Sequence, residues 1–131
     1  MVKTVTHQDI TSDELGGAQV HAHKSGIAHF TAANDILCLR KIRRLISYLP
    51  SNNRQRAPLL DLRDPADRLD PALDYLVPEN PNQTYDMNVL IYSILDGTEF
   101  MEVQPAFARN IICGFGRLGG QTVGLVANQP A

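Results

Sequence analysis

The sequence predicts a mixed α/β fold divided into two units by a long linker. The chain of 131 residues carries an amphipathic helical pattern at residues 34–49, and two apolar runs around a glycine pair predict a β-hairpin at residues 111–127. Between them, six prolines lie at positions 50, 58, 65, 71, 78 and 81. Such a connection exceeds the roughly 12 to 15 residues usual inside compact domains. We therefore predict a first unit at residues 1–49, a linker at residues 50–84 and a second unit at residues 85–131.

The first unit is predicted to contain a short capped helix. Thr11 stands at the N-cap position and Glu14 follows three residues later, which is the spacing of a capping box. Gly16 and Gly17 are expected to stop this helix, because glycine favours helix ends.

Two extended stretches and a long helix complete the first unit. Residues 18–23 alternate enough to predict a strand or an extended connection, and residues 27–30 a brief strand. Asn34 then caps a helix that ends by Pro50, since apolar residues recur in steps of three and four. Four basic side chains fill the remaining arc, and we favour a solvated face over phosphate binding because nothing else nearby is typical of a phosphate site. These side chains are Arg40, Lys41, Arg43 and Arg44.

The second unit is predicted to combine one helix with an antiparallel sheet. The predicted elements are a helix at residues 87–95 and strands at residues 100–103, 111–117 and 121–127. Asp86 can cap the helix, and Gly119 with Gly120 suits a tight hairpin turn between the last two strands. One helix covers only part of such a sheet. We therefore expect the chain to be a fragment of a larger enzyme, or to be completed by a partner.

Charge and hydropathy argue against nucleic-acid and membrane partners. The formal net charge is −2 and 20% of the residues are charged, so there is no basic excess to attract nucleic acid or anionic lipid. No stretch approaches the roughly 20 apolar residues that would span a bilayer, and no secretory signal pattern is present. Cys38 and Cys113 form no disulfide or metal-binding motif. We expect both thiols to be free and buried, in a reducing compartment such as the cytoplasm.

Three histidines form the one cluster of possible metal ligands in the sequence. His21 and His23 would share one face of a strand, with His29 nearby and Asp13 or Glu14 as further candidates. A zinc site normally needs a third or fourth ligand at workable spacing. We therefore favour a structural role, or a position at the edge of a substrate site, over metal binding.

The glycines and Ser25 also admit both a structural and a functional interpretation. The Gly16-Gly17 pair lacks the spaced glycines and the lysine of a phosphate loop, and a predicted strand rather than a helix follows Gly114-x-Gly116. Ser25 could act as a nucleophile only with a positioned base, and no recognisable nucleophile elbow surrounds it. We interpret these glycines first as turn and close-packing residues.

Four stretches of the sequence together resemble one family. They are "VKTVTHQDITSDELGGAQVHAHKSGIAHF", "LISYLPSNN", "LDYLVPENPNQTYDM" and "ILDGTEFMEVQPAFARNIICGFGRLGGQTVGLVANQP". In this order they resemble the carboxyltransferase, or β, subunit of biotin-dependent acyl-CoA carboxylases, of the propionyl-CoA carboxylase and methylmalonyl-CoA decarboxylase type. The resemblance implies a partial crotonase-like (ClpP/crotonase) α/β fold. Residues 1–49 would end the first carboxyltransferase domain, and residues 85–131 would begin the second with its opening hairpin.

The resemblance also implies an activity. The family moves a carboxyl group from N1 of carboxybiotin to the α-carbon of an acyl-CoA, here propionyl-CoA or a similar short acyl-CoA. Backbone N–H groups of glycine-rich loops stabilise the two developing oxyanions. In the family these loops lie outside the matched stretches, so no catalytic residue is assigned and this segment alone is expected to be inactive.

The implied partners follow from the same resemblance. They are a biotin carboxylase or biotin carboxyl carrier subunit, an acyl-CoA, and further copies of the chain in a homo-oligomer. The implied compartment is the cytoplasm, or the mitochondrial matrix in a eukaryote.

Seven residues are implied to shape the substrate sites. Five of them, Gly16, Gly17, His21, Ser25 and Gly26, are expected at the edge of the acyl-CoA pocket, and two, Asn128 and Gln129, toward the biotin side. No metal ligand is predicted. Two alternatives remain open: a truncated, non-catalytic interaction or assembly fragment of the same family, and a small His-based metal-binding protein.

Overall fold

The computed structural model describes residues 9–61 and 63–131. Their regular elements are, in chain order, α1 (Ser12–Gly16), α2 (Ala18–His23), α3 (Asp35–Ile46), a 3-10 helix (Pro71–Tyr75), α4 (Met87–Ile94), a second 3-10 helix (Asp96–Thr98), β1 (Phe100–Val103), β2 (Ile111–Leu118) and β3 (Gln121–Asn128). The three strands form one antiparallel sheet in the order β1-β2-β3. Helices and sheet thus occur together, as the sequence predicts.

The predicted hairpin is confirmed. Leu118 pairs with Gln121 at the end of the β2–β3 ladder, so Gly119 and Gly120 form a two-residue turn. Their φ angles are 57° and 76°, and such turns with two positive φ angles match the twist of the flanking strands. The register then continues to the pair formed by Ile111 and Asn128.

The buried core lies between α4 and the sheet. Its members are Met87, Ile91, Leu95, Phe100 and Ile112. The predicted cap of α4 is confirmed, because the Asp86 side chain accepts a hydrogen bond from the Asn88 N–H at 2.9 Å. The helix therefore begins at the predicted residue and presents one apolar face to the strands.

A buried arginine joins the end of α3 to the sheet. Arg117 in β2 is 3% exposed and its guanidinium carbon lies 4.1 Å from the centroid of the Tyr48 ring. Its Nη2 donates to both the backbone oxygen and the hydroxyl of Ser47, each at 3.0 Å. The Tyr48 ring also stacks with that of Phe115, with ring centroids 6.0 Å apart. The C-terminal end of α3 is thereby attached to the sheet.

The first helix has the predicted capping box. Thr11 Oγ1 accepts from the Glu14 N–H at 3.2 Å, and the Glu14 carboxylate accepts from the Thr11 N–H at 2.9 Å. The bonds that Thr11 donates to this carboxylate lower the pKa of Glu14 below its usual value. Gly17 follows as the C-cap with an extended backbone, as expected of a helix stop.

The predictions of two extended stretches after α1 are wrong. Residues 18–23 form helix α2, which begins at Gly17, and the His23 Nδ1 contacts the backbone oxygen of Gln19 at 3.0 Å, one helical turn away. Residues 27–30 form no strand. The His29 backbone oxygen accepts one bond, from the Gln104 N–H at 3.0 Å in the chain after β1, and a single bond does not form a β-ladder.

Helix α3 is capped by Asn34 as predicted, since the Asn34 side chain accepts from the Leu37 N–H at 2.9 Å. Its basic residues are exposed, as predicted, and two of them also reach backbone oxygens: Arg44 donates to that of Phe100 at 3.1 Å, and Lys41 to that of Thr31. Its apolar side is also uncovered by the described residues. Exposed apolar side chains there include Ile36, Leu39, Ile42 and Ile46.

The prediction that both thiols are buried is also wrong. Cys38 lies on α3 and is exposed, because the described residues leave that helix face uncovered, and Cys113 is half-buried. Cys113 Sγ approaches the Val103 backbone oxygen at 3.6 Å across the β1–β2 pair. Both cysteines are free.

The proline-rich stretch at residues 50–84 contains one 3-10 helix and no α-helix or strand among its described residues. Pro71 occupies the first turn of that 3-10 helix, and Asp70 caps it by accepting from the Ala72 N–H at 3.0 Å. The division of the chain into two domains around this stretch stays a prediction.

Candidate functional site

Three of the predicted site residues lie together at the end of α2. His21 Nδ1 is 3.1 Å from Ser25 Oγ, and Ser25 Oγ in turn donates to the His21 backbone oxygen at 3.4 Å. A Cβ added at Gly16 would be 3.6 Å from His21 Nε2. The predicted residues Gly16, His21 and Ser25 therefore form one polar corner, although a helix rather than a strand brings them together.

Gly26 connects this corner to the chain that follows β1. Its φ is +67°, and its backbone oxygen accepts a hydrogen bond from the Gln104 side chain. The ring of Phe107 lies where a Gly26 side chain would project, with 2.7 Å to the nearest ring atom. Gly26 is thus a close-packing residue between the two halves of the molecule.

A cleft of about 220 Å³ lies beside this corner, and we call it the first cleft. It opens between the end of α2, helix α3 and the chain after β1. Its polar lining residues include His29, Thr31, Lys41, Arg44, Glu102 and Gln104. The predicted glycines, His21 and Ser25 do not line it. The charged side chains of this cleft were missed as site residues, because α3 alone gives no sign of which arc faces the sheet.

A second cleft, of about 550 Å³, lies on the other side of residues 102–105. Glu102 and Pro105 line both clefts, and the second also includes Asp86, Asn88, Arg109, Asn110 and Gln129. Burial raises the pKa of Glu102 above its usual value, while the nearby Arg109 charge opposes that rise. A carboxyl group within the otherwise apolar run of β1 is the sequence signal that could have singled out Glu102.

The predicted residues at the end of β3 differ in role. Gln129 lines the second cleft, but both ends of its amide are used: Oε1 accepts from the Met87 N–H at 2.9 Å and Nε2 donates to Asp86 at 2.7 Å. The bond from Gln129 is the main reason why the pKa of Asp86 is lowered. Asn128 is the last residue of β3, in register with Ile111. Gln129 therefore shapes the cleft wall and fixes the start of α4.

The histidines do not converge. His21 and His23 are two residues apart on a helix, so they lie on different faces, which corrects the prediction of a shared face. Across the described residues, no group of three or more His, Cys, Asp or Glu side chains is placed to hold a metal ion. In the same ranges, no helix is both long enough and apolar enough to cross a membrane.

Comparison with solved structures identifies the class of this fold. The chain superimposes on a crystal structure of transcarboxylase 12S with a TM-score of 0.93 and 36% sequence identity, over 98% of this chain and 25% of that one. Transcarboxylase 12S assembles as a hexamer, and that structure has methylmalonyl-coenzyme A and methylmalonic acid bound. The fold is a small part of a crotonase-like carboxyltransferase fold, as the sequence predicts.

Comparison of sequences identifies the family. The propionyl-CoA carboxylase beta chain of Roseobacter denitrificans is 50% identical over 130 residues, which cover 99% of this chain and 26% of the relative. The human mitochondrial propionyl-CoA carboxylase beta chain is 45% identical, over 99% of this chain and 24% of the relative. The methylmalonyl-CoA decarboxylase subunit alpha of Veillonella parvula is 47% identical, over 99% and 26%.

The profile of the carboxyl transferase domain matches residues 1–131. The chain belongs to the carboxyl transferase domain family, and its similarity to propionyl-CoA carboxylase beta chains is confirmed. It spans about a quarter of the length of these relatives, between 24% and 26%.

Proposed function

We propose that this chain is part of an acyl-CoA carboxyltransferase that moves a carboxyl group from carboxybiotin to the α-carbon of propionyl-CoA or a similar short acyl-CoA. In this reaction the bond between the carboxyl carbon and biotin N1 breaks and a bond between the carboxyl carbon and the α-carbon forms. The α-carbon loses a proton, and biotin N1 takes up a proton in its place. One observation carries the proposal: residues 1–131 match the carboxyl transferase domain throughout. The transcarboxylase relative, which binds methylmalonyl-coenzyme A, supports the substrate class.

The chain corresponds, in this proposal, to the junction of two crotonase-like domains. Residues 1–49 end the first domain, residues 50–84 connect, and residues 85–131 begin the second domain with the β2–β3 hairpin. The scarcity of regular structure at residues 50–84 supports this division. The glycine-rich loops that stabilise the two oxyanions belong to other parts of such an enzyme, so this segment supplies walls and not catalytic groups.

The corner at the end of α2 is proposed to shape the acyl-CoA pocket. Its support is the contact of His21 with Ser25 and the position of Gly16 next to the His21 ring. Gly17 acts indirectly: a Cβ there would be 2.6 Å from the Asp13 backbone oxygen, so any side chain would displace α1. Substitution of Gly17 therefore tests the helix rather than the pocket, and His21 and Ser25 are the informative positions.

The second cleft is proposed to face biotin. The ureido ring of biotin has N–H donors and one oxygen acceptor, and the cleft offers partners for both, with a carboxylate at Glu102 and a guanidinium at Arg109. Gln129 supports this wall rather than binding directly, because its amide is already paired, and Asn128 precedes it at the end of β3. Biotin, when bound, supplies the activated carboxyl group.

The proposed partners are a biotin carboxylase or biotin carboxyl carrier subunit that delivers carboxybiotin, and further copies of the enzyme in a homo-oligomer. The hexamer assembly of transcarboxylase 12S supports the second of these partners. The bacterial and mitochondrial relatives support a location of the proposed enzyme in the cytoplasm, or in the mitochondrial matrix of a eukaryote.

A chimera tests the proposed function. Residues 1–131 replace the matching quarter of the Roseobacter denitrificans propionyl-CoA carboxylase beta chain, and transfer of labelled carboxyl from methylmalonyl-CoA to free biotin is measured. We expect transfer at a rate comparable to the parent, because this segment supplies supporting walls. A chimera that assembles like the parent and transfers nothing would contradict the proposal.

Two variants of the chimera test the proposed pocket edge. Ser25→Ala and His21→Phe should raise the KM for methylmalonyl-CoA more than that for biotin, since this corner is proposed to lie on the acyl-CoA side. His23→Phe is the matched control, because His23 is on another face of α2. Equal effects of all three variants on both KM values would show that the corner does not shape the acyl-CoA pocket.

A non-catalytic assembly fragment is the second candidate function. The uncovered apolar side of α3, with Leu39 and Ile46 each 59% exposed, favours it because such a face is typical of a contact surface. The same chimera distinguishes the two candidate functions. If the chain is only an assembly fragment, a chimera that carries it is not expected to sustain carboxyl transfer.

A further inference from the structure

The C-terminal end of α4 receives its positive charge from a distant part of the chain. The last turn of this helix contains no basic residue of its own. Arg68 approaches instead, donating from Nη1 to the Ser93 backbone oxygen at 2.7 Å and from Nη2 to that of Leu95 at 3.4 Å. Cations are favourable at this end of a helix, because its terminal carbonyl groups lack helical partners. Arg68 therefore serves as an external cap of α4.

A carboxylate holds Arg68 in this position. Asp64 Oδ1 accepts from Arg68 Nε at 2.7 Å, and Asp64 Oδ2 accepts from the Gly97 N–H at 3.0 Å. The Asp64 side chain is 12% exposed and that of Arg68 33% exposed. Both bonds lower the pKa of Asp64, so it remains ionised at neutral pH. The pair thus contacts the chain directly before and after the end of α4.

Two further bonds continue this attachment. The Ser93 side chain bonds to Asp70, which lowers the pKa of Asp70. The Leu60 N–H donates to the Gly120 backbone oxygen at 3.1 Å, in the β2–β3 turn. The contacts therefore reach both α4 and the hairpin, although the described residues between 50 and 84 have little regular structure beyond one 3-10 helix.

The attachment is polar and is not part of the apolar core. A cleft of about 350 Å³ lies under it, lined by residues from both sides that include Pro65, Leu73, Ile94 and Leu118. The buried core members come only from α4, β1, β2 and the residue after α4. Of these core members, only Leu95 accepts one of the polar contacts, and it does so through its backbone oxygen. Loss of these contacts therefore removes no apolar side chain from the core.

The geometry points to a strap, residues 63–70, that is fastened over the end of α4 by a clasp formed by Asp64 and Arg68 and can be released without unfolding the sheet. Through the strap, a proline-rich stretch with the composition of a flexible linker is attached to α4.

Hydrogen exchange on the full chain tests the clasp. Arg68→Gln removes the charge that joins Asp64 to the end of α4, and amides at residues 93–97 and in the strap should exchange about tenfold faster, the change expected from losing one charged hydrogen bond. Amides of β2 and β3 should keep the exchange rates of the unsubstituted chain. Asp64→Asn should accelerate the same residues, since its neutral side chain no longer holds the guanidinium.

Arg56→Gln is the matched control. It removes the same charge from the same stretch, and Arg56 is exposed. Two results would overturn the clasp: Arg68→Gln exchanging like Arg56→Gln, or acceleration in β2 and β3 equal to that in the strap. The second result would mean that Arg68 supports the whole fold rather than a releasable strap.

Discussion

Gly119 and Gly120 are adjacent and identical, yet the structure requires them for different reasons. Both have positive φ angles, of 57° and 76°. A Cβ at Gly119 would meet no atom within 4 Å, whereas one at Gly120 would overlap the Leu60 backbone oxygen. Both Gly119 and Gly120 also donate to the buried Asp96 carboxylate, at 3.1 and 2.6 Å. The first glycine is needed for backbone conformation alone, and the second also for a close approach.

Alanine at each glycine should separate these two requirements. Gly119→Ala is expected to lower the free energy of unfolding by about 1–2 kcal/mol, the cost of a left-handed conformation. Gly120→Ala should cost distinctly more, because Leu60 must also move away. Urea unfolding of both variants measures the difference, and equal losses would show that the contact with Leu60 does not restrict the turn.

The individual residues of the candidate site are the part of this molecule that its sequence predicts least well. Gly16, His21 and Ser25 were predicted at the edge of a substrate pocket; they lie close together, and their role at such an edge stays a prediction. Glu102 and Arg109, which line the second cleft, were not predicted as site residues. Arg109 lies in a loop without a periodic signal, and the carboxyl group of Glu102 in the otherwise apolar β1 was the one signal that the sequence offered. Gln129 was predicted as a pocket residue, and its amide is used for the start of α4.

Helix boundaries followed from local chemistry where a side chain caps the helix. Thr11, Asn34 and Asp86 all accept hydrogen bonds from the first turn, as the sequence predicts. The helix α2 was not predicted, because its N-cap is Gly17, which has no side chain to cap the helix. Six residues with weak alternation do not distinguish a strand from a short helix, and the i to i+4 contacts of its histidines decide for the helix.

The cap of α4 should make stability depend on pH. Hydrogen bonds from Gln129 and from the Asn88 N–H lower the pKa of Asp86 in the folded chain. The unfolded chain therefore takes up the proton first as the pH falls. The stabilisation is complete above the unfolded pKa, about 3.9, and is lost as the pH falls through the folded pKa.

Asp86→Asn isolates this effect. Asparagine keeps the capping oxygen but does not ionise, so thermal unfolding of the variant should lose less stability than the unsubstituted chain between neutral and acid pH. Asp67→Asn, at an exposed position in the linker, serves as the matched control. Parallel stability curves for Asp86→Asn and the unsubstituted chain would refute the role of the Asp86 charge.

At the scale of the whole molecule, Arg117 attaches α3 to the sheet. Its guanidinium lies over Tyr48 and donates twice to Ser47, in a site where Arg117 is 3% exposed and Tyr48 1% exposed. Glu99 lies 3.9 Å away but is half exposed, so it adds little to this attachment. A planar guanidinium suits this arrangement because it can stack and donate at once.

Arg117→Lys should weaken the attachment while preserving the charge. Lysine cannot stack on Tyr48 and donate to Ser47 in the same geometry, and we expect a loss of about 1–3 kcal/mol in the free energy of unfolding. Chemical denaturation followed by tyrosine fluorescence measures it, with Arg56→Lys as the exposed control. An unchanged denaturation midpoint for Arg117→Lys would show that other contacts hold α3 against the sheet.

The sequence alone determined the elements that carry local signals: the capped starts of α1, α3 and α4, the three strands, the glycine turn and the family. Side-chain caps and positive φ angles act between near neighbours, so they are visible in the chain itself. Only the tertiary structure decided which arc of α3 contacts the sheet, where Arg117 is buried and how the strap is fastened. Those outcomes depend on contacts between distant residues, such as the 70 positions between Ser47 and Arg117, whose geometry no local pattern records.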